Sequence, residues 1–471
     1  MPPAGKPGRR HKSGPRKPLL PPELPLPSDV QQILTWLNSD GFQAYVTGGA
    51  VRDLLLSRAP HDWDVATDAL PQQVKALFPD HIPTGEKYGT ITVRTPARGV
   101  EVTTFRADGR YLDGRRPESV NFSRDLKADL ARRDFTINAM ALGPDGRLLD
   151  PFGGRADLAQ GRIATVGNPK ERFREDALRM LRAIRFAAEL GFTPETSVKR
   201  AILEEGRLIA NVSAERIRDE LSRILLAPHL LYGLRLLRVT GLLARIIPEL
   251  DAGFGVTQNK YHAYSVYTHS LLTAAAVPPV LALRLAALFH DIGKIPVKSK
   301  DPDGAVRFHG HEEASVELAK RLLIRLRYPS GLIDRVCLLI RHHMFSASPE
   351  IKDSTIRKLI ARVGATNIHD LIRLRAADAL ASGKKQGAGG RRMEDIDNFA
   401  ERVEEILAGS AAFSLKDLAV NGRDLMHALG LPPGPKVGRL LEYLMGQVLD
   451  HPEKNTRETL LALARDRLSS T

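Results

Sequence analysis

Apolar positions in the first third of the chain follow short, strand-like periods. Ala44–Thr47 (AYVT) reads as a buried strand, Ala50–Ser57 (AVRDLLLS) as a helix, and Asp62–Ala66 (DWDVA) as a second, alternating strand. Gly48-Gly49 stands between the first strand and the helix, a turn where backbone at a helix start can approach a phosphate closely. Pro71–Phe78 predicts a short helix. The alternating runs Thr90–Arg94 and Val100–Phe105, joined by Pro96–Gly99, predict a hairpin. Ala107–Asp125 has no period and is dense in Gly, Arg and Asp, which predicts a mobile loop beside a site, and Thr136–Leu142 returns to a strand-like pattern.

After the turn Asp150–Gly154 the period lengthens to that of helices. Glu171–Leu190 predicts one amphipathic helix, with Ala177, Leu178, Leu181, Ile184 and Phe186 on its apolar face and Asp176 and Arg179 together on another. Ser213–Leu221 opens a capped helix that braces it. Helical patterns recur through Leu281–Phe289, the run ending at His342-His343, and Met393–Leu407, with Gly383–Arg392 read as a basic, glycine-rich linker. Near the end, Pro432–Gly438 leads into a helix over Arg439–Leu449, where Lys436 and Arg439 either meet an RNA phosphate or mark a plain corner between helices. The predicted fold class is α+β: a mixed-sheet head over 28–166, then an all-α neck (167–255), body (256–385) and tail (386–471).

Composition narrows the functional classes. A chain of 471 residues, 43% hydrophobic, is too long for one core, and no apolar run reaches the length of a membrane span. The net charge of +14 points to a polyanionic partner, nucleic acid by default. Met1–Pro27 carries six Lys/Arg against the single acid Glu23, together with nine prolines, and reads as a disordered tail with non-specific phosphate affinity or as a leader without function. A lone cysteine, Cys337, excludes an internal disulfide framework and agrees with the cytoplasm.

Candidate chemistry is concentrated in two places. Asp62 and Asp64, two apart on a strand, converge on one face; such carboxylates repel unless a hard cation such as Mg²⁺ lies between them, carrying a triphosphate whose α-phosphate is attacked in line. Alone, an Asp-x-Asp is an ordinary solvated strand end and a Gly-Gly an ordinary turn; in the order strand, turn, helix with Arg52-Asp53, strand, they are specific. Glu101 is either a third acid beside them or an exposed strand glutamate. Arg132 and Arg133 suit a triphosphate and Asp134 a ribose hydroxyl, unless they are simply a charge pair at a strand start. Asp176 and Arg179 form either a surface salt bridge or an acceptor and a donor for the Watson–Crick edge of cytosine or adenine. In the second place, Tyr261–Ala381 holds eight of the 14 histidines. His269, His290-Asp291, His309, His311, His342-His343 and Asp378 predict a metal site, whether catalytic or kept for architecture.

Gly48-Gly49…Arg52-Asp53…Asp62-x-Asp64, Arg132-Arg133-Asp134, Asp150-Pro-Phe-Gly-Gly154, Glu175-Asp176-x-x-Arg179 and Ser213-x-Glu215-Arg216 resemble, in order, the five motifs of class II tRNA nucleotidyltransferases, the CCA-adding enzymes of the DNA polymerase β superfamily. The resemblance implies a polymerase β-like head with Asp62 and Asp64 catalytic and carrying Mg²⁺. It also implies a nucleotide site of Gly48, Gly49, Arg52, Arg132, Arg133, Asp134, Asn138, Asp176, Arg179 and Arg182, in which Asp176 and Arg179 select CTP and then ATP. RYLDGRRPESVNF looks like the loop needed for the switch to ATP, which argues against an enzyme limited to CC. The histidine cluster is similar to the HD phosphohydrolase superfamily, implying His269, His290, Asp291 and Asp378 at a first metal, a transition metal among the candidates, with His311 and His342 or His343 at a second. The expected partners are tRNA, CTP and ATP, with no membrane. The alternatives are a poly(A) polymerase or A-adding enzyme, which shares the head, and an HD phosphohydrolase with a non-catalytic RNA-binding head.

Overall fold

The computed structural model describes residues 26–107, 121–258, 263–383, 386–409 and 412–469, with backbone alone over 386–392. The basic tail before residue 26 and most of the Ala107–Asp125 run lie outside these residues. The chain divides into two compact units, one running to Ile224 with Arg235–Arg245, the other comprising Leu225–Leu234 and Ile246 onward.

The first unit is built on helix α1 (Ser28–Ser39), strand β1 (Ala44–Thr47), α2 (Gly49–Leu55), β2 (Asp64–Thr67), α3 (Pro71–Leu77), β3 (His81–Gly85), β4 (Thr90–Arg94) and β5 (Gly99–Thr104). A short ribbon of β6 (Arg106–Ala107) and β7 (Asn121–Phe122) follows, then α4 (Leu126–Ala131), β8 (Ala141–Leu142) and β9 (Leu148–Leu149). Seven strands form one mixed sheet in the order β3-β4-β5-β2-β1-β8-β9, in which β2 and β5 run parallel and the other neighbours antiparallel. Val46, Val65, Ile91, Val100, Val102 and Phe105 are buried at its centre. The hairpin expected from Thr90–Arg94 and Val100–Phe105 is β4 and β5.

Three local expectations are corrected. Edge strand β3 (HIPTG) was not expected, because its largely exposed residues show no alternation and Pro83 is tolerated only where a sheet ends. Strand β2 begins at Asp64, leaving Asp62 in the preceding bend. Thr136–Leu142 is not one strand: Thr136–Asn138 form a 3₁₀ turn and only Ala141–Leu142 pair with β1. The turn is fixed by Thr136, whose hydroxyl donates to buried Asp157 at 2.5 Å and whose N–H donates to Ala164 O at 3.0 Å.

Helices α5 (Gly154–Gln160), α6 (Pro169–Glu175), α7 (Leu178–Leu190), α8 (Thr196–Glu205) and α9 (Ala214–Leu226) follow. The single helix expected over Glu171–Leu190 is thus two. Asp176 lies between them with φ −148° and ψ 105°, and its Oδ1 accepts from Leu178 N at 3.1 Å. A short acid that captures a nearby backbone N–H competes with helix continuation, and here it wins.

In the second unit the helices Val266–Ala276, Leu281–Phe289, His311–Arg325, Ser330–His342 and Ile368–Ala381 pack on one another. Gln386–Ala408 is one helix, so the expected linker contributes its first turns; once Ile396, Phe399 and Val403 are buried, extending the helix N-terminally costs only propensity. The tail helices Gly422–Leu429, Pro435–Asp450 and Arg457–Ser469 enclose Leu425, Leu440, Leu444, Val448 and Leu460, and Lys436 and Arg439 are exposed at the start of the middle one. No described helix is long and apolar enough to cross a membrane.

Candidate functional site

A cleft of about 580 Å³ opens beside the C-terminal end of β1. Gly48 turns the chain there with φ +74°, and a Cβ on it would lie 2.9 Å from Arg133 Nη1 and 3.4 Å from Asp64 Oδ2. Only glycine lets backbone, guanidinium and carboxylate come so close. Asp64 opens β2 in register with Thr47 on one side and Glu101 on the other. Residues paired in register project to the same face, so Glu101 stands beside Asp64, exposed in the cleft. Asp62 also lines the cleft, but from a bend: its side chain is 83% exposed and 2.9 Å from His61 Nδ1. Burial pushes the Asp64 carboxyl above its usual range, Arg133 opposes this, and Glu101 and Asp62 add to it. All three acids line the cleft and offer the hard oxygen donors that a divalent cation takes, but with Asp62 in its exposed bend their oxygens do not close into one ligand group.

Arg132 and Arg133 are held from below by Asp129, a buried acid that the sequence reading missed. Arg132 donates to its Oδ1 from Nε at 2.9 Å and Nη2 at 2.6 Å, and Arg133 Nη2 reaches its Oδ2 at 3.3 Å and Thr47 Oγ1 at 2.8 Å. Burial raises the Asp129 carboxyl, yet the two arginines outweigh it and the group stays below its usual range. Its spacing of three and four before the arginines on α4 was the available signal.

Asp134 is also buried. Arg182 donates to its Oδ2 from Nε at 2.7 Å and Nη2 at 2.6 Å, Asn138 Nδ2 donates to Oδ1 at 3.1 Å, and Arg52 Nη1 donates to Asn138 Oδ1 at 2.8 Å. Burial opposes ionisation of Asp134, but Arg182 and Asn138 prevail and hold it at about 2. On α9, Glu220 continues the chain of charges, 3.7 Å from Arg182 and 2.6 Å from Arg185 Nε. Arg52, Arg182 and Arg185 all lie over the Phe186 ring.

Asp176 and Arg179 line the same cleft, but they neither share a helix face nor pair with each other in a salt bridge. Arg216 of α9 donates to both Asp176 oxygens, at 3.2 Å and 2.7 Å. Arg179 Nη1 donates to Glu175 at 2.5 Å and to Arg172 O at 3.2 Å, and its Nη2 donates to Arg132 O at 3.1 Å. Each is fixed by its own partners while lining the cleft.

The second unit gathers the histidines. His269 Nε2 lies 3.2 Å from His290 Nε2, 3.0 Å from Asp378 Oδ1 and 3.4 Å from Asp291 Oδ2. On the other side of Asp291, its Oδ1, His311 Nε2 and His343 Nε2 are buried without a hydrogen-bond partner, the histidines 3.6 and 3.9 Å from that oxygen. Buried lone pairs aimed at one another are costly unless something binds between them, and the donor set of His269, His290 and Asp291 on one side and Asp291, His311 and His343 on the other suits a pair of metal ions. Burial pushes His290 down, but Asp291 and Asp378 overcome it and hold it at about 10, whereas burial and the neighbouring His290 push His343 to about 3. Of the adjacent pair, His343 enters the cluster; His342 is half-buried outside it, and His309 is exposed on the rim of the adjoining 340 Å³ pocket.

Three family models match the chain: the poly A polymerase head domain over residues 44–164, a probable RNA- and SrmB-binding site of polymerase A over 191–254, and the HD domain over 259–383. The CCA-adding enzyme of Geobacillus sp. (strain WCH70) is 34% identical over 91% of this chain and 94% of its own length, and that of Geobacillus thermodenitrificans 35% identical over 92% and 96%. Among solved structures, the Bacillus stearothermophilus CCA-adding enzyme in complex with CTP superimposes with a TM-score of 0.70 at 31% identity, covering 93% of this chain and 97% of that one. The Thermotoga maritima CCA-adding enzyme complexed with tRNA shares the fold at a TM-score of 0.52 and 21% identity. With residues of four of its five motifs lining one cleft and these relatives matched along nearly their whole length, the chain belongs to the family of CCA-adding tRNA nucleotidyltransferases.

Proposed function

We propose that the cleft of the first unit is where the family's reaction takes place: template-independent addition of C, C and A to the 3′ end of tRNA from CTP and ATP. The reaction depends on a divalent metal, and Mg²⁺ is the ion we assign to Asp62 and Asp64, with Glu101 beside them. When bound, it supplies activation of the terminal ribose hydroxyl and neutralises charge on the pyrophosphate that leaves. Gly48 and Gly49 give the triphosphate close access to backbone, and Arg132 and Arg133 neutralise it from the platform of Asp129. Asp134 retains lone pairs for a ribose hydroxyl, within the network of Arg52, Asn138 and Arg182. Asp176 accepts from the exocyclic amine that cytosine and adenine share, and Arg179 donates to the adjacent ring nitrogen.

The observation that carries this reading is the convergence on one cleft of the acids, the anchored arginines and the Asp176–Arg179 edge. It is tested with Asp64→Ala: nucleotide incorporation into tRNA falls by roughly a thousandfold or more, while tRNA still binds. Undiminished incorporation would refute the assignment. The relatives favour CCA addition over poly(A) synthesis.

For the second unit we infer a metal-dependent phosphohydrolase, supported by the converging unpartnered atoms of Asp291, His311 and His343. His269, His290, Asp291 and Asp378 would hold one ion and Asp291, His311 and His343 a second, transition metals suiting the imidazoles; the chemistry such ions would supply there is activation of water towards a phosphoester. We retain the division into head (28–166), neck (167–255), HD body (256–385) and tRNA-binding tail (386–471), with the exposed Lys436 and Arg439 as phosphate contacts in the tail. A cytoplasmic location is supported by the tRNA chemistry and by the one cysteine, which is buried and free.

A further inference from the structure

We propose that Arg216 determines base discrimination as a positioning residue: it fixes the Asp176 carboxylate in the orientation that accepts from an exocyclic amine. This rests on the reading of Asp176 and Arg179 as the base-contacting pair.

The argument begins at the break between α6 and α7. Because Asp176 lies outside both helices, in extended backbone, no helix lattice orients its side chain. Two donors hold it instead. Leu178 N–H holds Oδ1 at 3.1 Å, and the Arg216 guanidinium, arriving from α9, grips Oδ1 at 3.2 Å and Oδ2 at 2.7 Å. Without the fork, Oδ1 keeps one backbone donor and Oδ2 keeps none, so the carboxylate is free to swing about that single bond. Arg216 and Asp176 are both partly buried, their side chains 27% and 19% exposed, so water replaces the grip only in part.

Arg179 is anchored separately, by Glu175 and the carbonyls of Arg172 and Arg132. Loss of Arg216 therefore loosens the acceptor and leaves the donor in place. Cytosine and adenine present an N–H₂ to a carboxylate at the recognised edge, whereas uracil and guanine present a carbonyl oxygen there, which a fixed carboxylate repels. A carboxylate that can turn away no longer repels it. The same helix also supplies Glu220, one turn beyond Arg216 and on the same face, to the Arg182–Arg185 network, so α9 as a whole organises the cleft.

The test compares the native chain with Arg216→Lys, Arg216→Ala and Asp176→Asn. The kcat/KM values for CTP and UTP are measured on tRNA transcripts ending before CCA, and those for ATP and GTP on transcripts ending in CC. Each ratio is independent of the fraction of enzyme that is folded. The proposal predicts that Arg216→Ala lowers the CTP/UTP and ATP/GTP ratios on the order of tenfold. Arg216→Lys, which keeps the charge but not the fork, lies between, and it carries the test if the alanine variant does not fold. If Asp176→Asn relaxes the ratios but both Arg216 variants leave them unchanged while all four efficiencies fall in step, Arg216 merely braces two helices and the proposal is overturned. If Asp176→Asn itself leaves the ratios unchanged, the base-contacting role of Asp176 fails and the proposal fails with it.

Discussion

Asp134 shows what single side chains contribute here. Its carboxyl is held at about 2 in the folded chain against an ordinary 3.8, so the ionised form is favoured in the native state. A depressed carboxyl contributes stability that is complete above the unfolded value, near pH 4, and is lost as pH falls towards 2; a shift of this size is worth about 2 kcal/mol. Asp134→Asn is therefore expected to flatten the acid limb of the first unit's unfolding transition between pH 4 and 2, as followed by denaturant titration at fixed pH. Asp129→Asn should act on binding: with its two arginines released, inhibition by pyrophosphate weakens by roughly tenfold for either nucleotide substrate. Unchanged inhibition would remove Asp129 from the triphosphate site. Gly48, Asp64, Arg133 and Asp134 were legible in the sequence because local spacing marks them. Asp129 had only a weak helical spacing and Glu220 none, while Arg216 stood out as part of a motif but without any sign of its partner, since the partners of Glu220 and Arg216 lie some 35 to 40 residues away in the chain.

Among the elements, periodicity located the sheet and most helices but misjudged places where a side chain overrides the backbone pattern. Asp176 splits an otherwise continuous amphipathic run, Thr136 converts a strand-like run into a turn, and Pro83 hides an edge strand. None of these changes the hydrophobic spacing from which the elements were read. The Thr136 turn carries Asn138 into the cleft, and buried Asp157 clamps it by bonding Thr136 at 2.5 Å and Arg162 Nε at 2.6 Å. Asp157→Ala leaves the Thr136 hydroxyl only Ala164 O at 3.4 Å, while Arg162 keeps Glu195 at 3.2 Å and water; the loss should cost roughly 1–2 kcal/mol, read as a lowered unfolding midpoint of the first unit, with CTP binding weakened through Asn138. A midpoint within experimental error of the native chain would show that the turn holds itself.

At the scale of the whole molecule, two clusters of candidate chemistry lie in two compact units, each with its own acids. Asp291→Ala is expected to abolish metal-dependent hydrolysis of phosphoesters, assayed with p-nitrophenyl phosphate and added Mn²⁺, Co²⁺ or Ni²⁺, and to leave nucleotide addition unchanged; Asp64→Ala should do the reverse. Loss of both activities in either variant would contradict separate sites. The α+β head followed by helices was legible from the change in period, whereas the boundary between the units was not, because Leu225–Leu234 and Arg235–Arg245 exchange sides within a continuous helical pattern. The measurement that bears most directly on the central claim is incorporation of labelled CTP and ATP, separately and together with Mg²⁺, into tRNA transcripts ending before CCA or after CC and into an unrelated RNA. Two C residues followed by one A, on tRNA alone, is the predicted result; repeated A addition to any RNA would contradict it.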